Sequence, residues 1–206
     1  MKNKLGLLAI ILAISQAIVI LLSWIITAAF PDLSMRSLLS GEGIRWFFAH
    51  FIENLSSKYL VWLLLGTIAF GTLKSSGLFT VIHLLFHKEF KVGTLHYRER
   101  IAIRTICIEL LLFIVIILLL TILPKAVLIS VTGDIFPSSF SQGFIAIIAF
   151  IVVVCGLTYG TLVGKFKTLN QGYKALASGF STCAWIFPLY ILICELIHSL
   201  AFVFLL

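Results

Sequence analysis

A run without a single charged residue, Leu5 to Ala29, opens this chain, and apolar runs recur at about 59–73, 103–123, 142–164 and 180–206. The hydrocarbon core of a bilayer is ~30 Å thick and takes about 20 helical residues to cross. With 61% hydrophobic and 11% charged residues, the chain has too few polar side chains to cover a soluble core. It reads as an all-α integral membrane protein, a single polytopic membrane domain over 1–206 with about five transmembrane helices and no sheet of any size.

The first helix is expected at about 5–30, stopped by Pro31. Lys2 and Lys4 ahead of an apolar run also suit a signal peptide, but the run outlasts a signal h-region and no small-residue cleavage site is evident. Ser15, Gln16 and Ser23 should face other helices, where they find hydrogen-bond partners that lipid lacks. From Ser34 to Lys58, Trp46, Phe47, Phe48, Phe51 and Ile52 are set among Arg45, His50 and Glu53. That is the pattern of an amphipathic helix lying in the membrane interface, with Ser40 as its start.

The second span, 59–73, is short, and Lys74-Ser75-Ser76-Gly77 separates it from a continuation at 78–87. Two forms are open. One is a discontinuous helix whose polar break lines a cavity. The other, which is preferred, is a tilted helix ending at Lys74 and then an interfacial helix. His83 and His87 share a helical face at a spacing that suits a metal. No acidic or cysteine ligand is near in sequence, so an interfacial polar stripe is preferred and neither metal nor cofactor is expected.

Lys88 to Arg104 is the most basic segment and is placed in the cytoplasm; Thr132 to Pro137 reads as a turn in an external loop. This puts Lys2, Lys4, Lys74, Lys88, Lys91, Arg98, Arg100, Arg104, Lys165, Lys167 and Lys174 inside, and Arg36, Arg45, Lys58 and Lys125 outside. Eleven against four orients the chain with its N-terminus inside and its C-terminus outside. The net charge of +7 is met by these loops and anionic lipid, with no nucleic-acid partner.

Glu109 falls about one turn inside the third helix, near Arg104 and the headgroups, and is expected to be paired or snorkelled. Gly156, Gly160 and Gly164 recur every four residues, a face for close helix packing. Pro188 is expected to kink the last helix. Glu195 and His198 stand three residues apart on one helical face of it. A charge at mid-span costs about 2.5 to 3.5 kcal/mol on insertion scales, so such carboxylates either mark ion paths or sit protonated against a neighbouring helix. His198 lies nearer the outer surface and suits the interface. Cys107, Cys155, Cys183 and Cys194 show no C-x-x-C spacing. With no phosphate loop, nucleophile elbow, zinc-helix motif or catalytic carboxylate pair, the chain is not expected to be an enzyme.

Two stretches carry a resemblance. The pattern Ser37-Leu-Leu-Ser-Gly-Glu-Gly-Ile-Arg-Trp46, followed by Phe70-Gly71-Thr-Leu-Lys74-Ser75-Ser76-Gly77-Leu78, resembles the start of the p-aminobenzoyl-glutamate transporter (AbgT) family. That family carries a similar SLLS-x-x-G-x-RW segment and a helix ending in G-V-x-x-K-S-G-L. Ala177 to Thr182 is similar to the family's S-G-G-F-S-A-N re-entrant hairpin through Ser178, Gly179, Phe180 and Ser181, and departs from it at Thr182-Cys183. The family is about twice as long, so the resemblance implies a truncated or divergent member, matched over its N-terminal part. It further implies ion-driven movement of p-aminobenzoyl-glutamate or sulfonamide-like anions across the cytoplasmic membrane.

Two functions follow. The first is a reduced, ion-coupled transporter acting as a homo-oligomer. Its candidate substrate or ion residues are Glu195, His198, Glu109, Ser75, Ser76, Gly77, Ser178, Gly179 and Ser181, with Glu195 as coupling carboxylate and the 75–77 break as gate. The alternative is a non-transporting membrane subunit or scaffold that docks a partner through the glycine face and the basic loop at 88–104.

Overall fold

A computed structural model describes residues 2–86, 96–122, 128 and 136–205. They form eight helices: α1 (Lys2–Ala29), α2 (Gly41–Leu55), α3 (Lys58–Ser76), α4 (Leu78–Phe86), α5 (Tyr97–Ile122), α6 (Ser139–Leu162), α7 (Leu169–Cys183) and α8 (Ile186–Phe204). No strand occurs among the described residues. Five helices, α1, α3, α5, α6 and α8, are long and apolar enough to cross a membrane. The protein is therefore a multi-pass helical membrane protein. It divides into two compact units, Met1–Val61 with Cys183–Leu206, and Trp62–Thr182.

Polar residues set several helix ends. Ser40 caps α2, its Oγ accepting from the Gly43 amide at 3.0 Å. Ser138 and Ser141 form a capping box that starts α6. α3 ends at Gly77, whose φ of +81° suits a residue without a Cβ. Ser76 is fully buried there and bridges the junction, donating to Leu73 O and accepting from the Leu78 amide at 3.2 Å.

In the first unit α1 and α8 run parallel. Gln16 Nε2 donates to Ser199 Oγ at 2.7 Å, and farther along both helices Val19 and Ile20 pack against Phe202 and Val203. Buried Ser23 accepts from the Leu38 amide at 3.1 Å, tying the segment after α1 back onto it. Gln16 and Ser23 thus find partners inside the protein, as lipid-averse groups must. In the second unit α5 and α6 are antiparallel, Glu109 lying against Thr158 and Phe113 against Phe150. Five successive crossings require both relationships: first and fifth parallel, third and fourth antiparallel. Leu78, Val81, Ala102, Ile106, Cys155 and Tyr159 form this unit's core. Much of α5 is apolar and exposed, including Ile108, Leu111, Leu112 and Leu118, as a lipid-facing helix must be.

The structure departs from the expected elements at four points. α5 begins at Tyr97 rather than near 103, because the charged turn Arg98-Glu99-Arg100 is a good helix former and Glu99 accepts from the His96 amide at 3.0 Å. Glu109 is correspondingly deeper, and among the described residues no ion pair joins it to Arg104. The polar interruption expected at 74–77 contracts to Gly77, and α4 tucks Leu78 and Val81 into the core. The segment with Lys167 and Lys174, between the runs at 142–164 and 180–206, contains a helix, α7, which is amphipathic but too polar overall to stand among the apolar runs. The helix is interrupted at 184–185 and α8 starts at Ile186, so Pro188 stands in the first turn of α8, where its missing amide costs little. His87, Lys88 to 95, Lys125 and Thr132 to 135 lie outside the described residues.

Candidate functional site

Two polar places lie in the membrane-spanning helices, one in each unit. In the second unit α3 crosses α7 at glycine. A Cβ on Gly71 would strike the backbone of Gly179, and one on Gly179 would strike the Thr67 carbonyl. Thr67, Gly71 and Ser75 recur every four residues, so they form one face of α3. Contact this close lets side chains reach across: Ser178 Oγ lies 2.8 Å from Ser75 Oγ and 3.2 Å from the Gly71 carbonyl. Ser178 also bonds the Ala175 carbonyl at 2.7 Å within its own helix. The two sequence stretches around Gly77 and Gly179 therefore meet. Ser181 does not join them; it is exposed and bonds the Ser178 carbonyl. Ser76 and Gly77 serve the α3–α4 junction, where a Cβ on Gly77 would meet the Lys165 amine.

In the first unit Glu195 is 5% exposed, and neither carboxylate oxygen has a hydrogen-bond partner among the described residues. Asn54, at the end of α2, is 6% exposed, and its Nδ2 lacks a partner as well. The Asn54 amide and the His198 ring are the polar groups that act on Glu195. His198 is half-buried beside it on α8, and Ser199, fully buried, accepts the Gln16 bond. Gln16 Oε1 is a further buried oxygen without a partner among the described residues. Tyr190, lower on α8, bonds Ser57 Oγ and the Leu55 carbonyl, both at 2.8 Å. Unpaired oxygens in a low-dielectric interior are costly unless a proton or cation meets them. Among the described residues no cluster of three histidine, cysteine or acidic side chains forms.

Glu109 makes a lesser site in the second unit. It accepts from Thr158 Oγ1 at 3.3 Å and stands within interaction distance of the Cys155 thiol. Beside it an apolar cavity of about 320 Å³ is lined by Leu73, Leu78, Val81, Ile106 and Cys155, among others.

Gly156, Gly160 and Gly164 separate into two roles. A Cβ on Gly156 would meet Thr72 Cγ2 at 2.9 Å, and one on Gly160 would strike the Phe166 ring. Gly164 lies beyond the helix with φ +85° and ends it, so it belongs to no packing face. The stripe is filled by the chain itself. Sequence reasoning passed over Asn54, which resembled an ordinary polar helix end, and Thr67, and it named Gly71 only for the family resemblance, although the four-residue spacing of Thr67, Gly71 and Ser75 was present.

A family model described as the "AbgT putative transporter family" matches residues 86–203, more than half of the chain. The matched range holds Glu109, Glu195 and the Ser178 stretch, whereas the 37–78 stretch lies outside it. Among curated proteins none matches. The chain is similar in fold to the crystal structure of the YdaH transporter of Alcanivorax borkumensis, described as having an unusual topology. The TM-score is 0.80 at 13% identity, covering 93% of this chain and 70% of that one.

Proposed function

The chain belongs to the AbgT transporter family, and from that premise we propose that it is an ion-coupled secondary transporter of a small aromatic or anionic solute such as p-aminobenzoyl-glutamate. It works as a homo-oligomer in the cytoplasmic membrane, with its N-terminus inside and its C-terminus outside. Glu195 is the coupling carboxylate, and His198 and Asn54 set its environment.

The observation that carries this is the burial of Glu195, whose carboxylate has among the described residues only the Asn54 amide and the His198 ring as polar neighbours. A charge held so costs several kcal/mol, and a proton or cation removes that cost on binding. The loaded and empty states then differ in energy, and a gradient can bias the equilibrium between two arrangements of the protein. The glycine crossing of α3 and α7 is the element suited to move, since small residues let packed helices slide. Ser75 and Ser178 supply hydroxyls there for a polar group of the solute. With Gly156 and Gly160 covered from within, the glycine face is closed to the partner that the scaffold alternative needs, while residues 88–95 of its basic loop lie outside the described residues.

The test is flux in proteoliposomes. Purified protein should accumulate labelled p-aminobenzoyl-glutamate under an imposed proton or sodium gradient, and Glu195→Gln should abolish gradient-driven accumulation. Gradient-driven accumulation that survives in Glu195→Gln would remove the coupling role; absence of flux under either gradient would remove the proposed solute and its coupling.

A further inference from the structure

The first unit holds a second polar place that transport by Glu195 does not use. It is an open cavity of about 400 Å³ on α2, lined by Arg36, Glu42, Arg45, Trp46, His50 and Phe202, with Ala49. We infer that this cavity binds the anionic phosphodiester headgroup of a membrane phospholipid through Arg36 and Arg45.

Its position comes from the backbone. The Arg36 amide donates to the Val203 carbonyl at 3.1 Å, in the last turn of the α8 span, and the parallel α1 span ends just before, at Ala29. The cavity therefore sits where two spans leave the hydrocarbon. α2 presents a separate apolar face beside it: Ile44, Phe48, Phe51 and Ile52 follow the i, i+4, i+7, i+8 pattern, and Phe48 and Ile52 are each 75% exposed. A face so exposed is stable against acyl chains and costly in water. The cavity is around the helix from that face, so one lipid can lay its chains on the first and its headgroup in the second.

The chemistry of the walls selects an anion. Trp46 stacks on Phe202 at 4.3 Å, Arg36 lies over the Phe202 ring at 5.6 Å, and His50 stacks on Trp46. Tryptophan at this level is an interfacial anchor. Arg45 is held by Nε donation to the Gly41 carbonyl at 3.1 Å, and among the described residues it has no carboxylate partner. Two acids oppose at this level: Glu42 stands 3.8 Å from Arg36 with both side chains largely exposed, a weak pair that a phosphate displaces, and the exposed Glu53 stands 3.9 Å from His50 Nε2. A guanidinium fork matches phosphate oxygens, and two of them distinguish an anionic headgroup from a zwitterionic one.

Native mass spectrometry of the full chain, released from detergent with phosphatidylglycerol or phosphatidylcholine, tests this. Phosphatidylglycerol should be retained in preference, and Arg36→Gln with Arg45→Gln should weaken its retention on the order of five-fold per arginine. Glu42→Gln should strengthen retention, a gain that misfolding cannot produce. Unchanged retention in the double arginine variant, or no gain in Glu42→Gln, overturns the inference. Competition by soluble glycerol phosphate at the same concentration also overturns it, by making the site one for a free anion.

Discussion

The hydroxyls of Ser75 and Ser178 stand 2.8 Å apart although 103 positions separate them in the chain. They meet because Gly71 and Gly179 remove the Cβ atoms that would hold α3 and α7 apart. Close approach comes from the glycines, and the hydroxyl pair follows from it.

The two kinds of residue therefore differ in what they contribute. Gly179→Ala puts a methyl against the Thr67 carbonyl and should cost about 1 to 3 kcal/mol, as overpacking does. Ser178→Ala removes a hydrogen bond between helices and should cost only about 0.6 kcal/mol. Thermal unfolding in detergent checks the order, and equal losses would mean that the glycine contact is not tight.

Replacing Glu195 by Gln should leave the melting temperature unchanged or raise it. The amide fills the same volume and has no charge to bury, while the carboxylate it replaces has no partner to lose among the described residues. A fall of several degrees would show that Glu195 is paired in the folded protein.

At the end of α6, Gly164→Ala should destabilise by about 1 kcal/mol, since φ of +85° disfavours any Cβ. Gly160→Leu should cost more, because the Phe166 ring already covers that position. Neither change should alter the mass of the complex in gentle detergent extracts. A lost partner chain in Gly160→Leu would restore the scaffold alternative.

Tyr190 joins α8 to the end of α2 through Ser57 and the Leu55 carbonyl. Tyr190→Phe should cost about 0.5 to 1.5 kcal/mol. A double-mutant cycle with Ser57→Ala should show coupling between the two hydroxyls, and strict additivity would place them apart.

By itself the sequence determined the helical membrane class and the five spans, because the transfer energy of about 20 apolar residues outweighs any local preference. It also determined the helix start at Ser40 and an interruption within 74–77, while the structure carried the helix on past Lys74 and narrowed the break to Gly77. Glu195 stood out for a related reason: an acid within an apolar run is costly whatever surrounds it. Only the tertiary structure decided what each polar or small residue touches. It brought Ser178 to Ser75 and Asn54 to the neighbourhood of Glu195, and set Thr158 in place of Arg104 beside Glu109. It also showed α7, which is amphipathic but polar overall and so falls outside the apolar runs that mark the spans, and gave Gly156 and Gly164 different roles despite their identical spacing. Glycines, serines and threonines say in sequence only that a backbone can turn or approach. Which backbone does so depends on segments far along the chain, and packing alone brings those together.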